Sequence, residues 1–470
     1  MKKALFITHM LNRTGAPLVL MQMMDVFSRN SYNVDVISME DGVLREDLEA
    51  RGITVDVIDH PTQHQEEFKK RLKGYDIVVC NTLLTVFFIL IMQGEKVPVL
   101  WWIHEGRTYF EMYKKILSLY AAKSENIRIL SVSPIVHNLI KEYLGIDSDI
   151  VPFAAPENEI LPDSSHMWQN DKLKLIMTGQ LSFLKGQDIF IDALNLLPEQ
   201  MAEKMQIIMC LGANENDAEV VSKVNAASEK YHNITIIDSV PHDEMLSLIS
   251  SADFLLANSR YESMPTVAAE AWMVGTPAIL SDACGIGYYA EVDMKKLIYK
   301  ACDSKALSDL LIKCFQIVES DRYDALVQEG REVYRANFTS EIFEQNVLKE
   351  IAIVSNSANR VAVSDDPDSA VRSDAEPKGR LICMVGRYDD CDMLMYRKIN
   401  ECMTQGYEVY LFDTSKMTES LSYLEPFLRT RVNAVLTYRN VGADIELIPG
   451  KNLWEQLSIP IIDLTANQTS

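Results

Sequence analysis

Residues 260–275 read R-Y-E-S-M-P-T-V-A-A-E-A-W-M-V-G, from Arg260 to Gly275, with seven residues between Glu262 and Glu270. The order predicts a helix that starts at a ligand. Pro265 suits the first helical position, where its missing N–H costs nothing, and Gly275 suits the left-handed stop after the last turn. Glu262 is then expected in the loop before the helix and Glu270 just over one turn inside it. The unpaired N–H groups of Thr266, Val267 and Ala268 at the helix mouth favour a phosphate. Two carboxylates touching that phosphate would repel it, so they read as acceptors for sugar hydroxyls on either side. A sugar, a diphosphate and a second sugar make a nucleotide-sugar.

Outward from this stretch, Ala252–Asn258 reads as a buried strand entering the loop and Pro277–Ser281 as the strand after the helix. Ligands of open parallel sheets bind beyond the carboxyl ends of such strands. Upstream, strands are expected at Ala4–Thr8, Asn33–Ser38, Thr54–Ile58, Ile77–Cys80 and Val97–Ile103, with helices at Pro17–Phe27 and Leu44–Ala50 between them. A second set follows at Leu173–Thr178, Gln206–Leu211, Ile234–Asp238, Phe254–Ala257 and Ala278–Ser281. This alternation predicts α/β architecture with parallel sheets covered by helices. The joint between the sets falls near Val151–Lys172, and two such domains in tandem leave a cleft. Glu341–Ile353 is expected to cross back to the first domain. Residues 354–378 are polar, with Asp and Pro, and read as a linker. Residues 379–470 hold strand-like runs at Leu381–Val385, Glu408–Asp413, Ala434–Tyr438 and Ile459–Leu464. They read as a small α/β unit, either one part of a larger module or a complete accessory domain.

The chain has 470 residues, too many for one ordinary core. Its net charge of −22 speaks against a nucleic-acid partner. The 8 cysteines include no C-x-x-C pair and read as reduced core residues rather than metal ligands. The apolar start passes at once into Asn12-Arg13, as a first strand does, and the run Leu83–Met92 is too short to span a bilayer. A cytoplasmic protein is expected. In Leu175–Asp188, Gly179 permits a turn, Gly186 permits close backbone approach, and Lys185 places a cation beside the cleft. Val99–Gly106 puts His104 and Glu105 at the end of an apolar strand. Ser133 before Pro134 reads as a helix cap. Basic clusters at Lys69–Lys73 and Lys114–Lys115 read first as solvated helix faces. Asp390-Cys391-Asp392 is weak evidence for a metal, since acids also cap helices.

Residues 1–350 resemble the retaining glycosyltransferases of family 4, on the strength of the Glu262/Glu270 stretch and the motifs around Lys185, Gly15–Ala16 and His104. The resemblance implies the GT-B fold: two Rossmann-like domains facing a cleft, 1–160 for the acceptor and 161–353 for the nucleotide-sugar donor. It implies that Lys185 and the N–H groups after Met264-Pro265, at Thr266 and Val267, hold the diphosphate, together with the Gly179–Gln180 loop. Glu270 would hold the ribose diol, Glu262 the hydroxyls of the transferred sugar, and His104 the same sugar from the other side. Gly15 and Ala16 match the family's loop facing the donor phosphates. The family usually has arginine where this chain has Gln180. Retention without metal or cofactor is implied, with a glycan or lipid-linked acceptor, a role in bacterial surface polysaccharide or glycoconjugate synthesis, and contact with a membrane surface through the basic helices. Two alternatives stay open: a catalytically inactive, transferase-like partner subunit, and a sugar-nucleotide epimerase of the same fold.

Overall fold

The computed structural model describes residues 2–120, 124–157, 163–211 and 217–363, and parts of 378–467. The first domain contributes strands β1 (Lys2–Thr8), β2 (Tyr32–Ser38), β3 (Thr54–Val57), β4 (Ile77–Asn81), β5 (Val99–Ile103), β6 (Ile127–Ser131) and β7 (Asp149–Ile150). They form one sheet in the order β3-β2-β1-β4-β5-β6-β7, with every pairing parallel. Strands β4 and β5 are buried at every residue, which is why their sequences run apolar without alternation. Helices α1 (Gly15–Arg29), α2 (Leu44–Ala50), α3 (Gln65–Leu72), α4 (Val86–Met92), α5 (Arg107–Leu117) and α6 (Pro134–Leu144) connect them. Ser133 caps α6 by accepting from Val136 N–H, with Pro134 next to it.

The second domain repeats the plan. Its strands are β8 (Leu173–Gly179), β9 (Met205–Leu211), β10 (Ile234–Ile237), β11 (Phe254–Ala257), β12 (Ala278–Ser281) and β13 (Ile298–Tyr299), in the order β10-β9-β8-β11-β12-β13. Helices α7 (Gln187–Asn195), α8 (Glu199–Ala202), α9 (Ala218–Lys230), α10 (His242–Ser250), α11 (Thr266–Val274), α12 (Ser304–Val318) and α13 (Arg322–Asn337) surround it. In each sheet the strand order reverses once, between β1 and β4 and between β8 and β11. Those switch points leave a crevice at the strands' carboxyl ends, where neighbouring loops turn away from each other.

The two domains share one continuous core. Helix α14 (Ser340–Val363) crosses back as expected: Phe343 lies 5.9 Å from Trp102, ring to ring, and Glu344 bonds Arg29 and Asn30. Arg128 of β6 pairs with Glu350, which is only 2% exposed. Helix α14 also runs through residues 354–363, so the linker read from 354 starts later than expected. Helix propensity continuing past Ile353 outweighs the polar composition there. The rest of that stretch, 364–377, lies outside the described residues, as does Asp390-Cys391-Asp392.

The last unit holds β14 (Arg380–Val385), β15 (Glu408–Asp413), β16 (Ala434–Thr437) and β19 (Ile461–Asp463) in a parallel sheet ordered β15-β14-β16-β19. A two-stranded antiparallel ribbon, β17 (Glu446–Ile448) with β18 (Lys451–Asn452), precedes β19. The unit has its own core around Tyr410, Phe412 and the fully buried Trp454. Among the described residues no helix is long and apolar enough to cross a membrane. Two basic side chains of α3 are already paired, Lys69 with Glu95 and Arg71 with Asp56.

Candidate active site

The expected helix is α11, entered through Ser263, Met264 and Pro265. Pro265 is extended (φ −70°, ψ 111°) and caps the helix from outside, one position earlier than read, so Thr266 is the first helical residue. Ala268 N–H turns back to Pro265 O at 3.3 Å; among the described residues the N–H groups of Thr266 and Val267 have no protein acceptor. That pair is the open end of the helix, of the kind that suits an anion. Gly275 closes the helix in the left-handed region, φ 92°, as its place in the sequence requires.

Glu262 is held by its backbone before its side chain is considered. Its N–H donates to Ala283 O at 3.1 Å, and Gly285 N–H donates to its carbonyl at 2.8 Å. A Cβ at Gly285 would stand 1.8 Å from Ser263 O and 2.8 Å from Ser133 Oγ, so only glycine lets this loop lie against both. The Glu262 carboxylate accepts from Ser259 Oγ at 2.8 Å and is forked by Lys185 Nζ at 2.8 and 2.6 Å. The Lys185 loop reaches it because Gly186 adopts φ 71° with its backbone packed on Asn258 O, where a Cβ would stand only 2.5 Å away. Lys185 and Glu262, 77 residues apart, therefore meet beside the open end of α11. Gly179 lies behind them, 4.0 Å (from the position of a Cβ) from Lys185 Cε, and Gln180 O accepts from Gln187 Nε2 at 2.9 Å.

Glu270 lies one turn into α11 and is 9% exposed. His242, at the start of α10, donates from Nε2–H to Glu270 Oε1 at 2.8 Å. This partner was not read from the sequence. Its signal was its place after β10, a strand-end loop on the same crevice. The bond to Glu270 holds the His242 imidazole above its ordinary pKa of 6.5, against partial burial. Stability from this pair is fully present below pH 6.5, where the unfolded histidine is also protonated, and is lost as pH rises through the higher folded value. His242→Gln should therefore flatten the fall of Tm as pH rises above 6.5. An unchanged profile in thermal melts would show that the contact carries no charge.

Arg260, the nearest cation to Glu262 in sequence, is committed elsewhere. It forks Asp188 at 2.8 and 2.6 Å, bonds Phe183 O and covers the Phe183 ring at 3.9 Å. It does not replace the arginine that the resemblance places at Gln180.

The first domain faces this assembly through its own strand ends. Gly15 and Ala16 form the first turn of α1, not a separate loop, and Ala16 O accepts from Asn81 Nδ2 at 3.1 Å. The His104 ring lies 4.4 Å from Trp102, with Nε2 shielded from solvent and, among the described residues, unpartnered. Burial, then nearby His9, pushes its pKa down to about 3, so it is neutral at pH 7. Glu105 accepts from Leu83 N–H at 2.8 Å and from His104 N–H at 3.1 Å. Burial lifts its pKa to about 7 against those bonds. A Cβ at Gly106 would stand 2.2 Å from the ring of Tyr261, the residue between Arg260 and Glu262. Tyr261 and Gly285 thus touch Gly106 and Ser133, and the two sets of strand ends face each other.

Residues 163–333 match the family model described as glycosyl transferases group 1, and residues 1–131 match the model described as glycosyl-transferase family 4. An uncharacterized glycosyltransferase of Methanocaldococcus jannaschii is 23% identical over 296 residues, covering 55% of this chain and 74% of its own. A D-inositol 3-phosphate glycosyltransferase of Xylanimonas cellulosilytica is 24% identical over 144 residues, 30% of this chain and 33% of its own. Among solved structures, Anabaena HepE in complex with UDP has a TM-score of 0.63 at 16% identity, covering 75% of this chain and 100% of that one. WaaG, a glycosyltransferase involved in lipopolysaccharide biosynthesis, has a TM-score of 0.52 at 15% identity, over 76% of this chain and 99% of that one. The chain therefore belongs to the group 1 glycosyltransferases of family 4 and carries their GT-B fold.

Proposed function

We propose that the protein moves a sugar from a nucleotide-sugar to a glycan or lipid-linked acceptor with retention of configuration. One observation carries the reading: the Lys185 ammonium, held between both oxygens of Glu262, stands beside the two unused N–H groups that open α11, with Glu270 one turn further in. In this proposal the diphosphate lies at the helix end and shares the Lys185 ammonium, which has three donors. Glu270, steadied by His242, accepts from the ribose hydroxyls. Glu262 accepts from the transferred sugar, and neutral His104 meets that sugar from the first domain. As the glycosidic bond breaks, negative charge grows on the leaving diphosphate. Lys185 and the helix dipole stabilise that charge more than they stabilise the bound donor, which is what accelerates the reaction. The proposal assigns this charge to protein groups rather than to a metal or cofactor.

Solved neighbours of the fold are described with UDP and UDP-glucose, which supports a nucleotide-sugar as donor. Work on bacterial surface polysaccharide or glycoconjugate, in the cytoplasm or at the inner face of the membrane, belongs to the same proposal. The free cysteines among the described residues suit a reducing compartment. Incubation with a panel of nucleotide-sugars should give slow acceptor-free hydrolysis of one donor, and NMR of the glycosylated product should show the donor's anomeric configuration. Inverted product would overturn the retaining mechanism.

A second reading, the inactive partner subunit, is favoured by one feature: neutral Gln180, with Arg260 already bound to Asp188. It predicts no hydrolysis of any donor in the same panel.

A further inference from the structure

The residues that follow the three central strands of the first sheet stand side by side: His9 after β1, Thr82 after β4 and His104 after β5. Thr82 is fully buried and has φ 77°, ψ 159°, a region open almost only to glycine. A β-branched residue is kept there by several bonds. Thr82 N–H donates to Trp102 O at 2.8 Å, and its carbonyl accepts from Trp101 Nε1 at 2.9 Å and Thr85 Oγ1 at 2.8 Å. This strained backbone aims the hydroxyl at two groups: His9 Nδ1, 3.1 Å away, and the Glu105 carboxyl. Glu105, when ionised, can only accept, so Thr82 donates to it and accepts from His9 Nδ1–H. With Glu105 ionised, that sets the tautomer of His9 and leaves its Nε2 with a lone pair and, among the described residues, no protein partner. His104 Nε2 and Asn81 Oδ1 are further buried polar atoms at the same strand ends without partners among the described residues.

The charges nearby point the same way. Arg13, in the loop after β1, is bound to Asp47, and Arg107, after β5, forks Glu142. Burial leaves both histidines neutral at pH 7, His9 with a pKa pushed down to about 4. A lone pair on a neutral ring and arginines already committed elsewhere offer an anion no cation and welcome an O–H donor.

We propose that His9, oriented by Glu105 and Thr82, binds the attacking hydroxyl of the acceptor, and that the acceptor presents an uncharged sugar hydroxyl rather than a phosphate at this point. The inference rests on the donor reading given above and adds the acceptor's chemical class. Thr82 is a positioning residue, and its strain provides the test, because Thr82→Gly fits the backbone and removes only the side chain.

The full chain would be assayed for nucleoside diphosphate release from the donor that the panel selects, with UDP-glucose among those tried, in the presence of neutral methyl glycosides and of their 6-phosphates. Neutral acceptors should be preferred by about tenfold or more in kcat/KM. Thr82→Gly should lower acceptor kcat/KM about tenfold without lowering Tm or affinity for the donor's nucleoside diphosphate, and Thr82→Ser should restore it. Preference for the phosphates, no stimulation by any neutral glycoside, or equal acceptor kinetics for the Gly variant and wild type would each overturn the proposal. Absence of binding by every nucleoside diphosphate of the donor panel would instead sink the donor reading.

Discussion

Lys185→Ala should lower kcat by about 10²–10³-fold, the scale for losing one preorganised group at a developing charge. The fold should survive. The Lys185–Glu262 pair is partly exposed, 34% and 20% on the two side chains, so water screens it and its stability contribution is under about 1 kcal/mol. Glu262 keeps its Ser259 bond after the change. These numbers separate two explanations of the same contact. An ion pair kept for stability would give a clear drop in Tm and leave the kinetics of the surviving enzyme intact. A cation kept for a departing diphosphate gives the reverse. Stopped-flow or steady-state kinetics beside a thermal melt decides between them, and wild-type turnover in the variant would remove Lys185 from the chemistry.

Glu270→Ala should weaken binding of the donor's nucleoside diphosphate by about 10- to 100-fold in calorimetry without any acceptor present, as expected for losing hydrogen bonds to a charged, nearly buried acceptor. Glu270→Gln is the sharper variant. It keeps the length and one acceptor oxygen but removes the charge, so its loss should be smaller. Either substitution also releases His242, whose imidazole pKa should fall back toward 6.5. NMR titration of that ring is therefore an independent check that the pair exists in solution. Unchanged affinity in both variants would place the ribose elsewhere.

Much of this was legible from residue order. The alternation of apolar runs and helical patterns gave two parallel-sheet domains because strands covered on both faces must be apolar throughout, as β4 and β5 are. Phe254–Ala257 and Ala278–Ser281 fell where they were read. Gly275 ended its helix because few other residues accept φ 92°. The end of the linker side was misread at 354–363, where polar composition concealed a helix already nucleated against the first domain.

The residues that touch across long separations were not legible. Nothing in the order of residues brings Lys185 to Glu262, His242 to Glu270, or Tyr261 to Gly106; only the packing of loops at the two switch points does. Nor does the order of residues pair Arg260 with Asp188, 72 positions away; tertiary structure does. The strain at Thr82 is likewise invisible in a sequence, because it arises from hydrogen bonds contributed by Trp101, Trp102 and Thr85 together. Local sequence sets backbone preference and burial, so it determined the elements, the family and the likeliest polar groups by type. Which polar group faces which is set by distances between strand ends that are far apart in the chain, and that only the folded domains decide.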